Sequence, residues 1–164
     1  MTYEQEIAKA VIDEGYTTTL AALLIAQAKF ESGNFTNTAF KFHKNAYGYK
    51  YYPGSSWQTA EQGNKSSEGD PYANYTSLYN STKEVIYWLK RREKEGKLKI
   101  SELLTPELYA AALKKSGYYG ANEQQYAAGL KVYFTNAVDL VKKNPIITFF
   151  AIAIGMYFLM KIYK

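Results

Sequence analysis

The spacing of apolar residues predicts that the chain begins with a short helix. Apolar side chains recur at helical intervals between Ile7 and Ile12. Thr2 and Gln5 stand in front of them as a capping-box pair, in which each side chain bonds the other residue's backbone. Gly15 is expected to end this helix, because glycine adopts the left-handed conformation that commonly follows a last turn.

A second helix is predicted to carry an acid to the edge of the core. Thr17 or Thr18 can cap it, and an apolar run from Leu20 leads through Gln27 to Glu31. Residues about two turns apart share a helix face, so Glu31 is expected where the buried face ends. A carboxyl group there loses solvation, and its pKa should rise. The alternative is an ordinary surface glutamate in a last turn.

The composition and the residue pattern change in the middle of the chain. A short helix is predicted at residues 36–43. Residues 48–79 are then rich in Gly, Ser, Asn, Tyr and Thr, with alternation at residues 49–52 and 72–79. This pattern predicts a small, irregular β-hairpin lobe. The candidates for a second carboxylate in this lobe are Glu61, Glu68 and Asp70.

Helical patterns return in the second half. Ser81 and Glu84 form a capping-box pattern, residues 105–117 open with a Thr-Pro pair that is typical of a helix start, and Asn122 with Gln125 begins another helix. Residues 145–160 contain no charged side chain, and lysines flank them. We therefore predict a domain at residues 1–144 and a transmembrane anchor at residues 145–164.

The composition limits the function classes. The net charge is +5 and the pI is about 9.1, which favours anionic partners, but no nucleic-acid-binding motif accompanies the charge. Cysteine is absent, so disulfides and cysteine zinc sites are excluded, and the single histidine, His43, cannot build a histidine metal cluster. We expect no metal, no organic cofactor and no nucleic-acid partner. The 17 tyrosines suit either sugar binding or packing.

Residues 26–50, AQAKFESGNFTNTAFKFHKNAYGYK, resemble the signature of the glucosaminidase family of peptidoglycan hydrolases. This family includes autolysins and the hydrolase domain of the flagellar rod cap. Its pattern is an apolar helix, Glu-Ser-Gly, a short helix and then Asn-Asn-x-Phe-Gly-x-Lys. Residues 31–33 match the first motif fully. Asn45, Gly48 and Lys50 match the second motif, whereas Lys44 and Tyr47 depart from it. The resemblance covers roughly residues 18–134.

The resemblance implies a mainly α, lysozyme-like α+β fold, with a helical lobe, a small β-hairpin lobe at about residues 48–79 and a glycan groove between them. Glu31 resembles the family's general acid, and Glu61 lies in a Thr-x-Glu segment where some members hold a second carboxylate. Glu68 and Asp70 compete for that role. The substrate-binding residues implied by the motifs and the tyrosine pattern are Asn45, Tyr47, Tyr49, Tyr118 and Tyr126.

The predicted function is a membrane-anchored, peptidoglycan-cleaving enzyme that uses Glu31 as general acid. A lytic transglycosylase with a single catalytic glutamate is one alternative. A non-catalytic virion structural or wall-binding membrane protein is another. The third alternative, membrane disruption of the holin type, does not account for the large domain with its acid motif.

The predicted location follows from the two ends of the chain. The N-terminal residues carry charges throughout and do not form a secretory signal. A tail-anchored enzyme in the membrane of a lipid-containing bacteriophage, used for entry or lysis, would combine these features. A bacterial envelope location is the alternative. The expected partners are peptidoglycan, a lipid bilayer through residues 145–163 and other virion proteins.

Overall fold

The computed structural model describes residues 1–66 and 69–143. Those ranges are mainly helical, with one small two-stranded sheet, which confirms the predicted combination of a helical body and a β-hairpin. The helices are α1 (Tyr3–Asp13), α2 (Thr18–Glu31), α3 (Thr38–His43), α4 (Leu78–Lys94), α5 (Pro106–Lys115) and α6 (Glu123–Lys143). A 3₁₀ turn covers Ile100–Glu102, and the strands are β1 (Gln58–Lys65) and β2 (Pro71–Tyr75).

Most of the predicted helix starts are confirmed. Thr2 and Gln5 form the capping box of α1. Of the two candidate caps for α2, Thr17 is the one used, and its hydroxyl accepts a hydrogen bond from the Leu20 amide at 3.2 Å. Thr105 caps α5. These caps satisfy backbone donors that a first helical turn leaves without partners.

The predicted capping box at Ser81 and Glu84 is wrong. Helix α4 begins a turn earlier, because Ser77 caps it and accepts a hydrogen bond from the Asn80 amide at 3.1 Å. Ser81 therefore lies inside the helix and is fully buried, with its hydroxyl directed to the carbonyl of Leu78. The earlier start turns Glu84 from a cap partner into a buried side chain that is 8% exposed.

Helix α2 is the centre of the core. Every residue from Leu20 to Ala28 is buried, because α1 covers one side of the helix and α6 covers another. Burial on all sides is typical of a helix at the centre of a domain. The end of α2 therefore emerges from the core at Glu31, as the apolar run predicts.

The sheet is a short antiparallel hairpin in which Gln58 lies opposite Tyr75 and Glu61 lies opposite Ala73. The register is irregular between these pairs and again toward the turn. The alternation at residues 49–52 does not form a full strand, since only a single bridge joins Lys50 to Tyr72. The hairpin thus stays small.

The predicted transmembrane helix is not supported, and the fold class and the membrane location are corrected accordingly. Across residues 1–66 and 69–143, no helix has the length and apolar character needed to cross a bilayer. The last of these helices, α6, carries Lys131 and Asp139 within its length and ends in two lysines, so charged groups interrupt its apolar face. The predicted anchor at residues 145–164 lies outside the described residues, and so does Glu68.

Candidate active site

A cavity of about 830 Å³ opens beside the end of α2, between the hairpin and α4. Two carboxylates, Glu31 and Glu84, and two cations, Lys50 and Arg91, line it together with many aromatic rings. A concave, aromatic-lined surface with a few ionisable groups is the usual form of a ligand site.

The backbone after α2 fixes the position of Glu31. The chain turns sharply there, with Asn34 and Phe35 both at positive φ, a conformation that non-glycine residues seldom adopt. The Ser32 hydroxyl accepts a hydrogen bond from the Phe35 amide at 2.8 Å, and the Asn37 side chain donates to the Glu31 carbonyl at 3.1 Å. The strained turn after the Glu-Ser-Gly motif is therefore held by its own side chains.

A chain of buried hydrogen bonds runs from the core to the Glu31 carboxylate. Tyr109 donates to Gln27 Oε1 at 2.6 Å, and Gln27 Nε2 lies 3.4 Å from the Tyr126 hydroxyl, to which it donates. Tyr126 in turn donates to Glu31 Oε1 at 2.6 Å. The Gln27 amide therefore occupies the acceptor side of Tyr126, which leaves the Tyr126 proton for Glu31.

Two opposing effects set the pKa of Glu31. Burial raises the pKa above its usual value because the charged form loses solvation, and the hydrogen bond from Tyr126 partly offsets this by favouring the carboxylate. The net shift is upward. A glutamic acid with a raised pKa at the wall of a cavity can act as a proton donor.

Glu84 is a second buried carboxyl group that the sequence analysis missed. The Ser55 hydroxyl donates to it, and Ser55 Oγ also accepts hydrogen bonds from the Trp57 and Gln58 amides at 3.1 and 3.3 Å. Burial raises the pKa of Glu84, while the hydrogen bonds from Ser55 and Gln58 and the charge of Arg91 act against the shift. Its spacing from Val85, Trp88 and Leu89 was a signal that it shares their buried side.

The tyrosines predicted to bind substrate lie near one another. Tyr47, Tyr49 and Tyr118 line the cavity, and Tyr118 donates to the Tyr47 carbonyl at 2.6 Å. The Tyr118 ring also meets the rings of Tyr49 and Trp88 edge-on. Tyr126 contacts Glu31 from behind the cavity wall. Tyr47 and Tyr126 are 2% and 5% exposed and support the wall from inside, so among these residues only the half-buried Tyr49 and Tyr118 can present part of a ring to a ligand.

The Asn45 side chain is buried and bonds backbone groups. It is 1% exposed, and its side-chain amide donates to the carbonyls of Tyr49 and Ala73 at 2.8 and 3.1 Å. Its oxygen accepts from the Tyr49 amide at 3.0 Å. Asn45 lies outside the cavity lining and joins the loop after α3 to strand β2.

Two of the predicted candidates for the second carboxylate, Glu61 and Asp70, are not brought to the cavity. Glu61 is exposed on β1 and does not line it. Asp70 is exposed and forms an ion pair with Lys50 at 2.8 Å. Among the residues that the structure describes, no group of three or more His, Cys, Asp or Glu side chains could hold a metal ion.

Comparisons with known proteins bear on the fold. No family model matches the chain, and no curated protein matches it. A chain in the structure of a type VI secretion system effector-immunity complex from Pseudomonas protegens is similar, with a TM-score of 0.60 and 13% sequence identity. The likeness covers 84% of this chain and 92% of that chain. At this identity the likeness shows a shared fold alone.

Proposed function

We propose that this chain is a muralytic glycosidase that cleaves the glycan strands of peptidoglycan with Glu31 as general acid. The observation that carries the proposal is the position of Glu31, whose carboxyl group lines an aromatic cavity, is desolvated and accepts a hydrogen bond from Tyr126. Glycosidic cleavage requires an acid that stays protonated until the leaving oxygen takes its proton.

The hydrogen bond from Tyr126 determines which oxygen of Glu31 acts. Because Oε1 accepts the tyrosine proton, Oε2 carries the acidic proton of the neutral carboxyl group. Glu31 donates that proton to the glycosidic oxygen as the bond between this oxygen and the anomeric carbon breaks. The bonding electrons leave with the oxygen, and the sugar develops oxocarbenium-ion character.

A second group must then supply the nucleophile or stabilise the positive charge. Glu84 lines the same cavity, whereas Glu61 does not, so we propose Glu84 in place of the hairpin carboxylate. A lytic transglycosylase would manage with Glu31 alone, because a hydroxyl group of the sugar itself attacks the anomeric carbon. The two mechanisms differ in their products, since only transglycosylation yields 1,6-anhydro ends.

We further propose kinship with the glucosaminidase family and a lysozyme-like arrangement of the two lobes. The Glu-Ser-Gly motif supports this, because its serine hydroxyl holds the strained turn that directly follows Glu31-Ser32-Gly33. Wall cleavage is one way in which a secreted effector could act, so the fold shared with a chain of an effector-immunity complex is compatible with the proposal.

A wall-binding module without catalysis is the second candidate. The feature that favours it is the cavity lining itself, where many tyrosine rings could hold sugar without bond cleavage. In that case, replacing the Glu31 carboxyl group with an amide would leave the biological effect intact.

A sacculus assay tests the proposal. The 164-residue chain, its Glu31→Gln variant and a Glu102→Gln control are each mixed with purified sacculi, and turbidity and pelleted protein are followed. Glu102 is a carboxylate outside the cavity, on the 3₁₀ turn. We expect clearing by the unmodified chain and the control, and pelleting without clearing by Glu31→Gln. Clearing by Glu31→Gln would refute the role of Glu31, and pelleting without clearing by the unmodified chain would favour the binding module.

A further inference from the structure

A second group of side chains lines the cavity on α4 and on the segment just before β1. The rings of Trp57 and Tyr87 lie 5.2 Å apart at an angle of 53°, and Tyr87 is 51% exposed. Both rings line the cavity. Trp57 is half-buried. Tilted aromatic rings that are at least partly exposed at a cavity wall offer flat apolar faces, which match the C–H faces of a sugar ring.

Arg91 lies one helical turn after Tyr87 and also lines the cavity. Its side chain is 50% exposed, and its Nε is 4.0 Å from Glu95 Oε1, the outer limit of an ion pair. The Glu95 carboxylate is held more closely by Arg92 and Lys97, at 2.7 and 3.1 Å. Arg91 therefore keeps most of its guanidinium donors for a ligand.

Glu84, the buried acid on the same helix, does not use the guanidinium donors of Arg91. The Glu84 carboxyl group takes a hydrogen bond from Ser55, and Arg91 acts on it through its charge rather than through a hydrogen bond. Glu84 instead holds the segment that carries Trp57, because Ser55 bonds both the Glu84 carboxylate and the Trp57 amide. The backbone that carries Trp57 is thus tied to α4, the helix that carries Tyr87 and Arg91.

From this geometry we propose that Trp57, Tyr87 and Arg91 form a subsite for a sugar that bears a carboxylate. The rings pack on the sugar, and the guanidinium binds the carboxylate through paired N–H donors. The inference deepens the proposed function and rests on it. In wall glycan such a carboxylate has two sources, the lactyl group of N-acetylmuramic acid and the stem peptide attached to that group.

This subsite would let the cavity discriminate between neutral glycans and glycans that bear a carboxylate. A neutral glycan of the chitin type could pack on the rings but would leave Arg91 without its anion. A carboxylate-bearing glycan makes both contacts, and a charge-assisted hydrogen bond is stronger than a neutral one. The chain should therefore prefer wall glycan over chitin oligosaccharides of equal length.

Binding measurements in the Glu31→Gln background test the proposal without turnover. The probes are chitotetraose, an N-acetylglucosamine–N-acetylmuramic acid tetrasaccharide with free lactyl groups, and the same tetrasaccharide with L-Ala-D-Glu on each lactyl group. Titration calorimetry of the 164-residue chain gives Kd for each probe. Adding Arg91→Gln should weaken binding of a carboxylate-bearing probe about tenfold and that of chitotetraose less than about twofold.

Lys94→Gln is the matched control, because Lys94 is exposed on the same helix, carries the same charge and does not line the cavity. It should leave all three Kd values within about twofold. Arg91→Lys keeps the charge but not the planar fork, so it should fall between the two. Trp57→Tyr keeps a smaller ring and should weaken all three probes together.

The outcomes distinguish the two sources of the carboxylate, and they distinguish failure of the subsite from failure of the proposed function. An effect limited to the free-lactyl probe assigns the lactyl carboxylate, and one limited to the dipeptide probe assigns the peptide. Equal effects of Arg91→Gln and Lys94→Gln, or equal binding of chitotetraose and both acidic probes before the change, would overturn the subsite. Failure of the proposed function would appear separately, as no cleavage of wall glycan by the unmodified chain.

Discussion

The Tyr126 hydroxyl lies 2.6 Å from Glu31 Oε1, so a residue of α6 holds the acid that α2 presents. This bond and the burial of Glu31 act on the carboxyl group in opposite directions. Burial favours the neutral acid, and the tyrosine favours the anion. The balance leaves the acid neutral over a wider pH range than an exposed glutamate, yet fixed in one orientation.

Tyr126→Phe should raise the pKa of Glu31 further, because it removes the hydrogen bond that favours the carboxylate and leaves the burial unchanged. The basic limb of the pH–activity profile should move to higher pH. The rate at the optimum should fall roughly tenfold to a hundredfold, since the acid loses its fixed orientation. Initial rates of wall-glycan cleavage across pH measure both effects.

Tyr133→Phe is the control for that variant. Tyr133 lies on the same helix and outside the cavity lining. A basic limb that stays in place in Tyr126→Phe, or moves equally in both variants, would show that the hydroxyl does not act on Glu31.

Glu31→Gln should stabilise the folded chain, and the gain should grow as the pH rises. The pKa of Glu31 in the folded chain lies above its ordinary value of 4.5, so the folded state binds more protons than the unfolded state between these two values. The stability that Glu31 contributes is therefore fully present below the unfolded pKa and is lost as the pH rises through that window. Glutamine does not titrate, can still accept from Tyr126 and avoids this loss.

Urea unfolding of both proteins at about pH 3.5 and about pH 7 measures the difference. Glu84 titrates in the same direction in both proteins, so its contribution cancels in the comparison. Glu61→Gln, at an exposed carboxylate on β1, serves as the control. A Glu31→Gln variant that is less stable at the higher pH than at the lower, relative to the unmodified chain, would contradict the burial argument.

Gly129→Ala should destabilise the contact between α2 and α6. A Cβ at Gly129 would clash with the Phe30 ring, which meets Tyr126 edge-on at 5.2 Å. Alanine gains about 1 kcal/mol in helix propensity over glycine, but overpacking costs about 1–3 kcal/mol. We expect a net loss of stability and a lower rate, because Phe30 must shift beside the Tyr126–Glu31 pair.

Thermal unfolding and cleavage rates of this variant are compared with those of Gly63→Ala. Gly63 lies on β1, where an added Cβ meets nothing within 4 Å. A Gly129→Ala variant as stable and active as the unmodified chain would mean that Phe30 moves without cost.

Glu84→Gln and Glu61→Gln distinguish the two candidates for the second carboxylate. If Glu84 activates water, Glu84→Gln should lower kcat by about a hundredfold or more, whereas Glu61→Gln should have little effect. Ser55→Ala removes the hydroxyl that links Glu84 to the Trp57 segment and should raise KM more than it lowers kcat. A larger loss of kcat in Glu61→Gln than in Glu84→Gln would assign the role of second carboxylate to Glu61 in the hairpin.

The features that the sequence predicted well are local ones. The capping residues of α1, α2 and α5 follow from side chains that lie within a few positions of the groups they bond. The emergence of Glu31 from the core follows from an apolar run that ends at that residue. Such features depend on neighbours in the sequence, so the order of residues is enough to find them.

The features that it missed depend on distant contacts. Glu84 was interpreted as a cap partner because Ser81 precedes it at the right spacing, but Ser77 starts the helix earlier and Ser55 meets the buried carboxyl group from another part of the chain. Asn45 matches a family motif, yet its amide is used by Tyr49 and Ala73. Likewise, the bond from Tyr126 to Glu31 joins two helices far apart in sequence.

Mass spectrometry of the fragments released from purified peptidoglycan by the 164-residue chain, beside its Glu31→Gln variant, tests the central claim most directly. We predict new glycan ends from the unmodified chain and none from a folded Glu31→Gln. The end group then names the reaction, since reducing N-acetylglucosamine indicates a glucosaminidase, reducing N-acetylmuramic acid a muramidase and a 1,6-anhydro end a transglycosylase. Equal release by both proteins, or no release by the unmodified chain while it binds the wall, would contradict the account.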